Sequence, residues 1–196
     1  MHLTHEPPAI EIWLTKALGF TVLSPYYRDF SSQLGLSSAE RVLEYGSGSG
    51  ALTRHLASLL ESSGGRLDCV DISPGWMNSI RSSLTSLTNV YYHLGWVSDL
   101  GLPERAYDAV VVHRVFHKIS EAELPEVLTS LAAKLKTGGR LLVREPGGQR
   151  LSVGKLTKLA RRAGLELQST EETDKPLIGL YFDAHFVKPV PDQSLH

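Results

Sequence analysis

The stretch RVLEYGSGSGALT, residues 41–53, runs from a short apolar segment into three glycines that alternate with two serines. Five mostly apolar residues bounded by glycine read as a buried strand. Beyond the glycines, Leu52, Leu56, Leu59 and Leu60 recur at helical spacing. Gly46, Gly48 and Gly50 therefore sit on a turn from strand into helix. Glycine adopts positive φ without clash and lets a ligand touch the main chain. Three in alternation exceed what a turn needs.

The same alternation repeats along the chain. RLDCVDI (66–72), NVYYHLG (89–95), YDAVVVHRVF (107–116) and RLLVREP (140–146) read as further strands. Between them lie helical patterns. SPGWMNSIRSSL opens with Ser73 as N-cap and Pro74 at the first helical position. EAELPEVLTSLAAKLK reads as a helix that TGG (137–139) stops, and VGKLTKLARRAGL as one ending at Gly164. Upstream, EPPAIEIWLTKALGF and Tyr26–Leu34 read as two helices. LELQSTEET and GLYFDAHFVKP close the chain as strands too near each other for a crossover helix, hence as an antiparallel hairpin. Strands alternating with helices predict an α/β fold: a doubly wound, mostly parallel sheet with helices on both faces.

The 196 residues, 42% apolar and 21% charged with a formal net charge of −1, suit one soluble domain. The densest basic cluster, Lys155, Lys158, Arg161 and Arg162, fits the wet face of one helix, so no nucleic acid is expected as partner. Cys69 is the single cysteine and lies in a strand pattern, which predicts inert core and a reducing, cytoplasmic compartment. The N-terminal MHLTHEPPAIEIW lacks the pattern of a signal peptide, and no apolar run reaches the ~18 residues of a membrane span.

In a doubly wound sheet, ligands bind outside the carboxyl ends of the strands. The glycine bend lies there. Its residues satisfy G-x-G-x-x-G/A through Ala51, which by itself does not separate a dinucleotide from other nucleotide-like ligands. Asp71, ending the second strand, suits the hydroxyls of a ribose in either case. Glu44 separates the two. A carboxylate beside a pyrophosphate repels it, whereas it suits the sulfonium and ammonium of S-adenosylmethionine.

On these residues the chain resembles the class I, Rossmann-like S-adenosylmethionine-dependent methyltransferases. VLEYGSGSG is similar to that family's glycine motif, CVDIS to its ribose-binding acid motif, and LPERAYDAVVVHRVFHKI to its fourth-strand segment. LAAKLKTGGRLLVREP resembles the helix, glycine pair and fifth strand that follow. The resemblance implies a seven-stranded sheet in the order 3-2-1-4-5-7-6, strand 7 antiparallel, in a three-layer αβα sandwich. It implies one methyltransferase domain over 1–196: a helical segment (1–40) covering the cofactor site, a Rossmann-like core (41–189) and a tail (190–196). It implies that Glu44, Gly46, Gly48 and Gly50 line the methionine end of S-adenosylmethionine. Asp71 would hold the ribose, Ile72 would lie against the adenine, and the backbone of His113 would touch the methionine end. Relatives often carry an acid after the glycine that follows the third strand. Here Trp96 follows Gly95, which leaves three readings: Trp96 stacks on the adenine, Asp99 supplies the acid, or Trp96 is ordinary core. From the N-terminal segment, Tyr27, with Tyr26 or Arg28, is a candidate for the cofactor carboxylate.

Methyl transfer is an in-line displacement from a leaving group that needs little acid help, so no metal is implied. A base is required where the acceptor holds its proton at neutral pH. His113 and His117 are candidates, four residues apart and on one face if that segment is helical; His117 is taken as the catalytic residue. The Asn/Asp-Pro-Pro-aromatic turn of amine-methylating enzymes is replaced by HRVF, which points to a small-molecule acceptor. The short N-terminal segment leaves room for a partner subunit or a homo-oligomer to close the site. The alternative reading is a non-catalytic, methyltransferase-like subunit that binds the cofactor or a partner.

Overall fold

The computed structural model describes residues 6–190 apart from Gln149 and Leu177. Seven strands form one sheet: β1 (Arg41–Tyr45), β2 (Arg66–Asp71), β3 (Val90–Leu94), β4 (Tyr107–His113), β5 (Leu135–Pro146), β6 (Glu166–Lys175) and β7 (Gly179–Val187). Their order is β3-β2-β1-β4-β5-β7-β6, as expected. Six helices flank them: α1 (Ala9–Phe20), α2 (Ser24–Gln33), α3 (Thr53–Glu61), α4 (Pro74–Ser83), α5 (Leu124–Lys134) and α6 (Val153–Arg162). No helix among the described residues is long and apolar enough to cross a membrane. The chain divides into two compact units, residues 1–100 and 101–196.

In the first unit β1, β2 and β3 run parallel, with Tyr45 opposite Val70 and Asp71 opposite Leu94. Their carboxyl ends therefore share one edge. Val42, Leu43, Leu56, Leu60, Leu67, Val70 and Ile80 are wholly buried, each removing apolar surface worth about 1.5–3 kcal/mol. The N-terminal helices join this unit at Gly19, the one buried residue of α1. A Cβ at Gly19 would lie 2.8 Å from that of Ala51, so α1 reaches the end of the glycine bend only because that side chain is missing. The rest of α1 turns Ile10, Trp13, Leu14 and Leu18 to solvent.

In the second unit β4 and β5 are parallel, and β7 is antiparallel to both β5 and β6. The closing hairpin is as the short connection required. Arg144 is buried between the strands, with both Nε and Nη2 on Asp183 at 2.6 and 2.5 Å, and its guanidinium lies over Tyr181.

Two expectations change here. Thr137, Gly138 and Gly139 do not separate helix from strand. β5 begins at Leu135, directly after α5, and the glycines form an irregularity within it, so that Tyr107 faces Leu135 while Ala109 faces Arg140. Gly138 has φ of 76°, and its N–H donates to Lys188 O. The helix before it starts at Leu124 rather than Glu121. Ser120 Oγ donates to Glu123 Oε2, and Glu123 N–H donates back to Ser120 Oγ, so residues 120–123 form a turn that precedes the helix.

Asp68 is wholly buried in β2, yet three groups converge on it: Arg41 at 3.1 Å, Arg66 at 2.8 Å and His93 at 2.8 Å. Burial alone would raise its pKa. The hydrogen bonds from His93 and Arg66, with the charges of Arg66 and Arg41, outweigh it and hold the carboxyl well below the usual range. Its stabilisation is present above the unfolded pKa near ~3.9 and is lost as pH falls below that. Asp68→Ala should cost about 2 kcal/mol in urea denaturation. That is less than a fully buried pair, because the three partners can return to water.

Candidate functional site

The bend after β1 is built from left-handed glycines: φ is 79° at Gly46, 51° at Gly48 and 81° at Gly50. The three are not equivalent. A Cβ on Gly50 would sit 2.7 Å from Ile80 Cγ1, so this glycine serves the packing of α4. A Cβ on Gly48 would meet nothing closer than Gly46 O at 3.9 Å, so the main chain there faces open space that a ligand can fill. Gly46 and Ser47 donate their N–H groups to Val70 O, tying the bend to β2.

Asp71 completes the tie. Its Oδ2 accepts from Gly48 N–H at 2.8 Å and its Oδ1 from Ser73 N–H at 3.0 Å. One carboxylate thus fixes the glycine bend and the start of α4, and brings half-buried Ile72 to the same edge. Gly95 N–H donates to Asp71 O, which carries half-buried Trp96 beside them at the end of β3. Asp99 is exposed and accepts from Ser98 Oγ. Tyr27 packs within reach of Gly19, on the same side as Ser49, and stacks edge-on with Tyr26 at 5.4 Å. Arg28 is exposed.

Glu44 is buried to a degree that its position in RVLEY did not reveal. Its Oε2 accepts from Thr53 Oγ1 at 2.6 Å and from Cys69 Sγ at 3.6 Å. Burial lifts its carboxyl to about 7. The hydrogen bonds of Thr53, Cys69 and Ser47 pull it down, and Asp71 pushes it up again. Near neutrality Glu44 is therefore about half protonated, rather than the plain anion expected. Cys69, read as inert core, is wholly buried, and its thiol is pushed well above its ordinary value by burial and by Glu44.

In the second unit the histidines do not share a helix face. β4 ends at His113, Arg114 takes φ of 58°, and only a single 3₁₀ turn, Phe116–Lys118, follows. Burial, then the charges of Arg144 and Arg114, push His113 down to about 3, so it is neutral at physiological pH and too weak a base for pH 7. His117 lies otherwise. Its Nδ1 is 2.6 Å from Glu145 Oε2. A carboxylate only accepts, so in the neutral ring the proton sits on Nδ1 and Nε2 is the acceptor nitrogen. Glu145 is wholly buried at the end of β5 and also takes the N–H groups of Val115 at 2.7 Å and Phe116 at 2.8 Å. The sequence reading passed over Glu145, Thr53 and Glu6. Glu145 obeys the rule that marked Glu44 and Asp71, an acid at the carboxyl end of a parallel strand. Glu6, whose carboxylate accepts from Ser73 Oγ and Gly75 N–H at the start of α4, carries no local signal at all.

This strand order, with a left-handed glycine bend after β1 and acids ending β1 and β2, defines the Rossmann-like, class I methyltransferase fold. The family model of the methyltransferase domain matches residues 42–139, and the chain belongs to that family. A demethylmenaquinone methyltransferase of Tropheryma whipplei is 31% identical over 128 residues, 65% of this chain and 51% of that one. A protein-L-isoaspartate O-methyltransferase of Anaeromyxobacter dehalogenans is 36% identical over 154 residues, 76% of this chain and 66% of that one. The chain thus spans about half the length of the first of these curated relatives. A SAM-dependent methyltransferase from Aquifex aeolicus superposes with a TM-score of 0.74 at 17% identity, covering 93% of this chain and 99% of that one. S-adenosylmethionine is the cofactor. The open main chain at Gly48, with the carboxylate of Asp71 beside it, leaves room for such a ligand.

Glu44 makes the stability of the cofactor-free protein fall with pH. The folded state keeps a proton between the ordinary value of 4.5 and about 7 that the unfolded chain gives up. Stability should therefore drop by roughly 3 kcal/mol as pH rises through that window and level off above it. Urea denaturation from pH 4.5 to 8.5 reads this slope, and Glu44→Gln should flatten it.

Proposed function

We propose that the protein transfers a methyl group from S-adenosylmethionine to a small molecule whose reacting atom carries a proton at neutral pH. When bound, S-adenosylmethionine supplies a methyl group on a sulfonium, a leaving group that calls for neither acid nor metal. The observation that carries the reading is the contact at 2.6 Å between buried Glu145 and half-buried His117, which leaves Nε2 of His117 to take the acceptor's proton. Glu145 is a positioning residue: it sets the tautomer and, through Val115 and Phe116, the loop that bears the ring. At the cofactor end Asp71 offers its carboxylate to the ribose, with Ile72 and Trp96 against the adenine. The backbone of Gly46, Gly48 and His113 and the side chains of Glu44 and Tyr27 serve the methionine end. Gly50 shapes the bend. The demethylmenaquinone methyltransferase relative supports a small-molecule acceptor. The lone buried cysteine agrees with a cytoplasmic setting.

One observation favours a second reading, a cofactor-binding subunit that acts through a partner. Trp13, Ile10, Leu14 and Leu18 form an uncovered apolar face on α1, with Trp13 63% exposed. Turnover separates the two readings: the subunit would bind cofactor without methylating any acceptor.

Calorimetry should find S-adenosylmethionine about tenfold weaker at pH 6 than at pH 8. A cation beside Glu44 requires the ionised form of a carboxyl that titrates near 7. A flat profile removes Glu44 from the cofactor's cationic end. Asp71→Ala should weaken binding by at least about tenfold. His117→Ala should lower kcat about 10²–10⁴-fold while leaving cofactor affinity unchanged; unaltered kcat would discard the base.

A further inference from the structure

Beside His117 the second unit holds a cavity of about 50 Å³. Because β4 and β5 are parallel, the loops after His113 and after Pro146 leave the sheet at the same edge, and the cavity lies between them. Phe116, Leu124 and Leu151 give it apolar walls, and His117 forms part of its lining. With Nδ1 held by Glu145, the nitrogen this ring has to offer is Nε2. Arg150 and Lys155 complete the lining. Lys155 Nζ already holds a carboxylate at 2.5 Å, that of Glu121, whose side chain is 78% exposed. An ion pair so open to water contributes little and exchanges readily. Two cations against one exposed acid leave a net positive lining in a space that fits a few heavy atoms.

We infer that this cavity is an anion subsite for the acceptor: Arg150 and Lys155 hold a carboxylate- or phosphate-sized group, and Glu121 occupies Lys155 until that group arrives. The inference rests on the reading of His117 as the base and narrows the acceptor to a molecule with an anionic group close to the atom that is methylated. The planar guanidinium of Arg150 gives two parallel N–H donors to such a group, and Lys155 a point charge. The apolar walls cover the carbon that bears it.

The experiment is a titration of the intact protein with sodium acetate, acetamide and methyl phosphate at constant ionic strength, following the ring resonances of His117 by NMR. Acetate should move them saturably and acetamide should not. Arg150→Gln and Lys155→Gln should each weaken acetate by about fivefold, and Glu121→Gln should tighten it two- to fivefold. Whichever of acetate and methyl phosphate binds more tightly identifies the group. Equal effects of acetate and acetamide, or an Arg150→Gln titration that matches the parent, would overturn the subsite. His117→Ala turnover is read separately. Acetate binding with unaltered kcat leaves the subsite and removes the base; lost kcat without acetate binding does the reverse.

Discussion

A single carboxylate, that of Asp71, holds the cofactor end of this protein in shape. It accepts one N–H from the glycine bend and one from the turn into α4, at 2.8 and 3.0 Å. A bend of left-handed glycines has little conformational preference of its own, and its order comes from what its amides are bonded to. Val70 O and Asp71 supply those bonds, so the second strand holds the loop of the first. The start of α4 is fixed by the same group. Glu6 adds a second carboxylate to that helix end, where N–H groups and the helix dipole favour negative charge.

The same device recurs at the end of β5. Glu145 is as buried as any leucine of the core and takes three backbone N–H groups together with the ring of His117. A carboxylate so placed is tolerable only when its oxygens are occupied. Glu44 shows the other outcome. With hydroxyl and thiol donors on one oxygen, burial wins, and its carboxyl rises to about 7. Three acids at the carboxyl ends of parallel strands thus meet different donors: backbone N–H groups at Asp71 and Glu145, a hydroxyl and a thiol at Glu44.

Much of the fold was legible because its signals are local. Apolar runs such as Ala109–Val112 are buried in any parallel sheet, Ser73-Pro74 caps a helix by its own geometry, and two strands without room for a crossover must pair antiparallel. The misreadings came where a local signal met a distant partner. Gly138 and Gly139 look like a helix stop, but Lys188 draws them into the β5–β7 ladder. His113 and His117 have helical spacing, but the positive φ of Arg114 and the pull of Glu145 on three successive residues make a turn instead.

The order of apolar runs, glycines and end-of-strand acids determined, from the sequence by itself, the α/β sheet, and it set the expectation of a cationic nucleoside at the glycine bend. These follow from backbone sterics, strand periodicity and the sign of a charge, which neighbours in the chain already specify. Only the tertiary structure decided which glycine is open and which is packed, that burial raises the carboxyl of Glu44 toward neutrality, and that His117 has a buried carboxylate behind it. Each of those depends on groups tens of residues away, because burial and hydrogen-bond supply are set by what the fold brings near, not by what the chain places next.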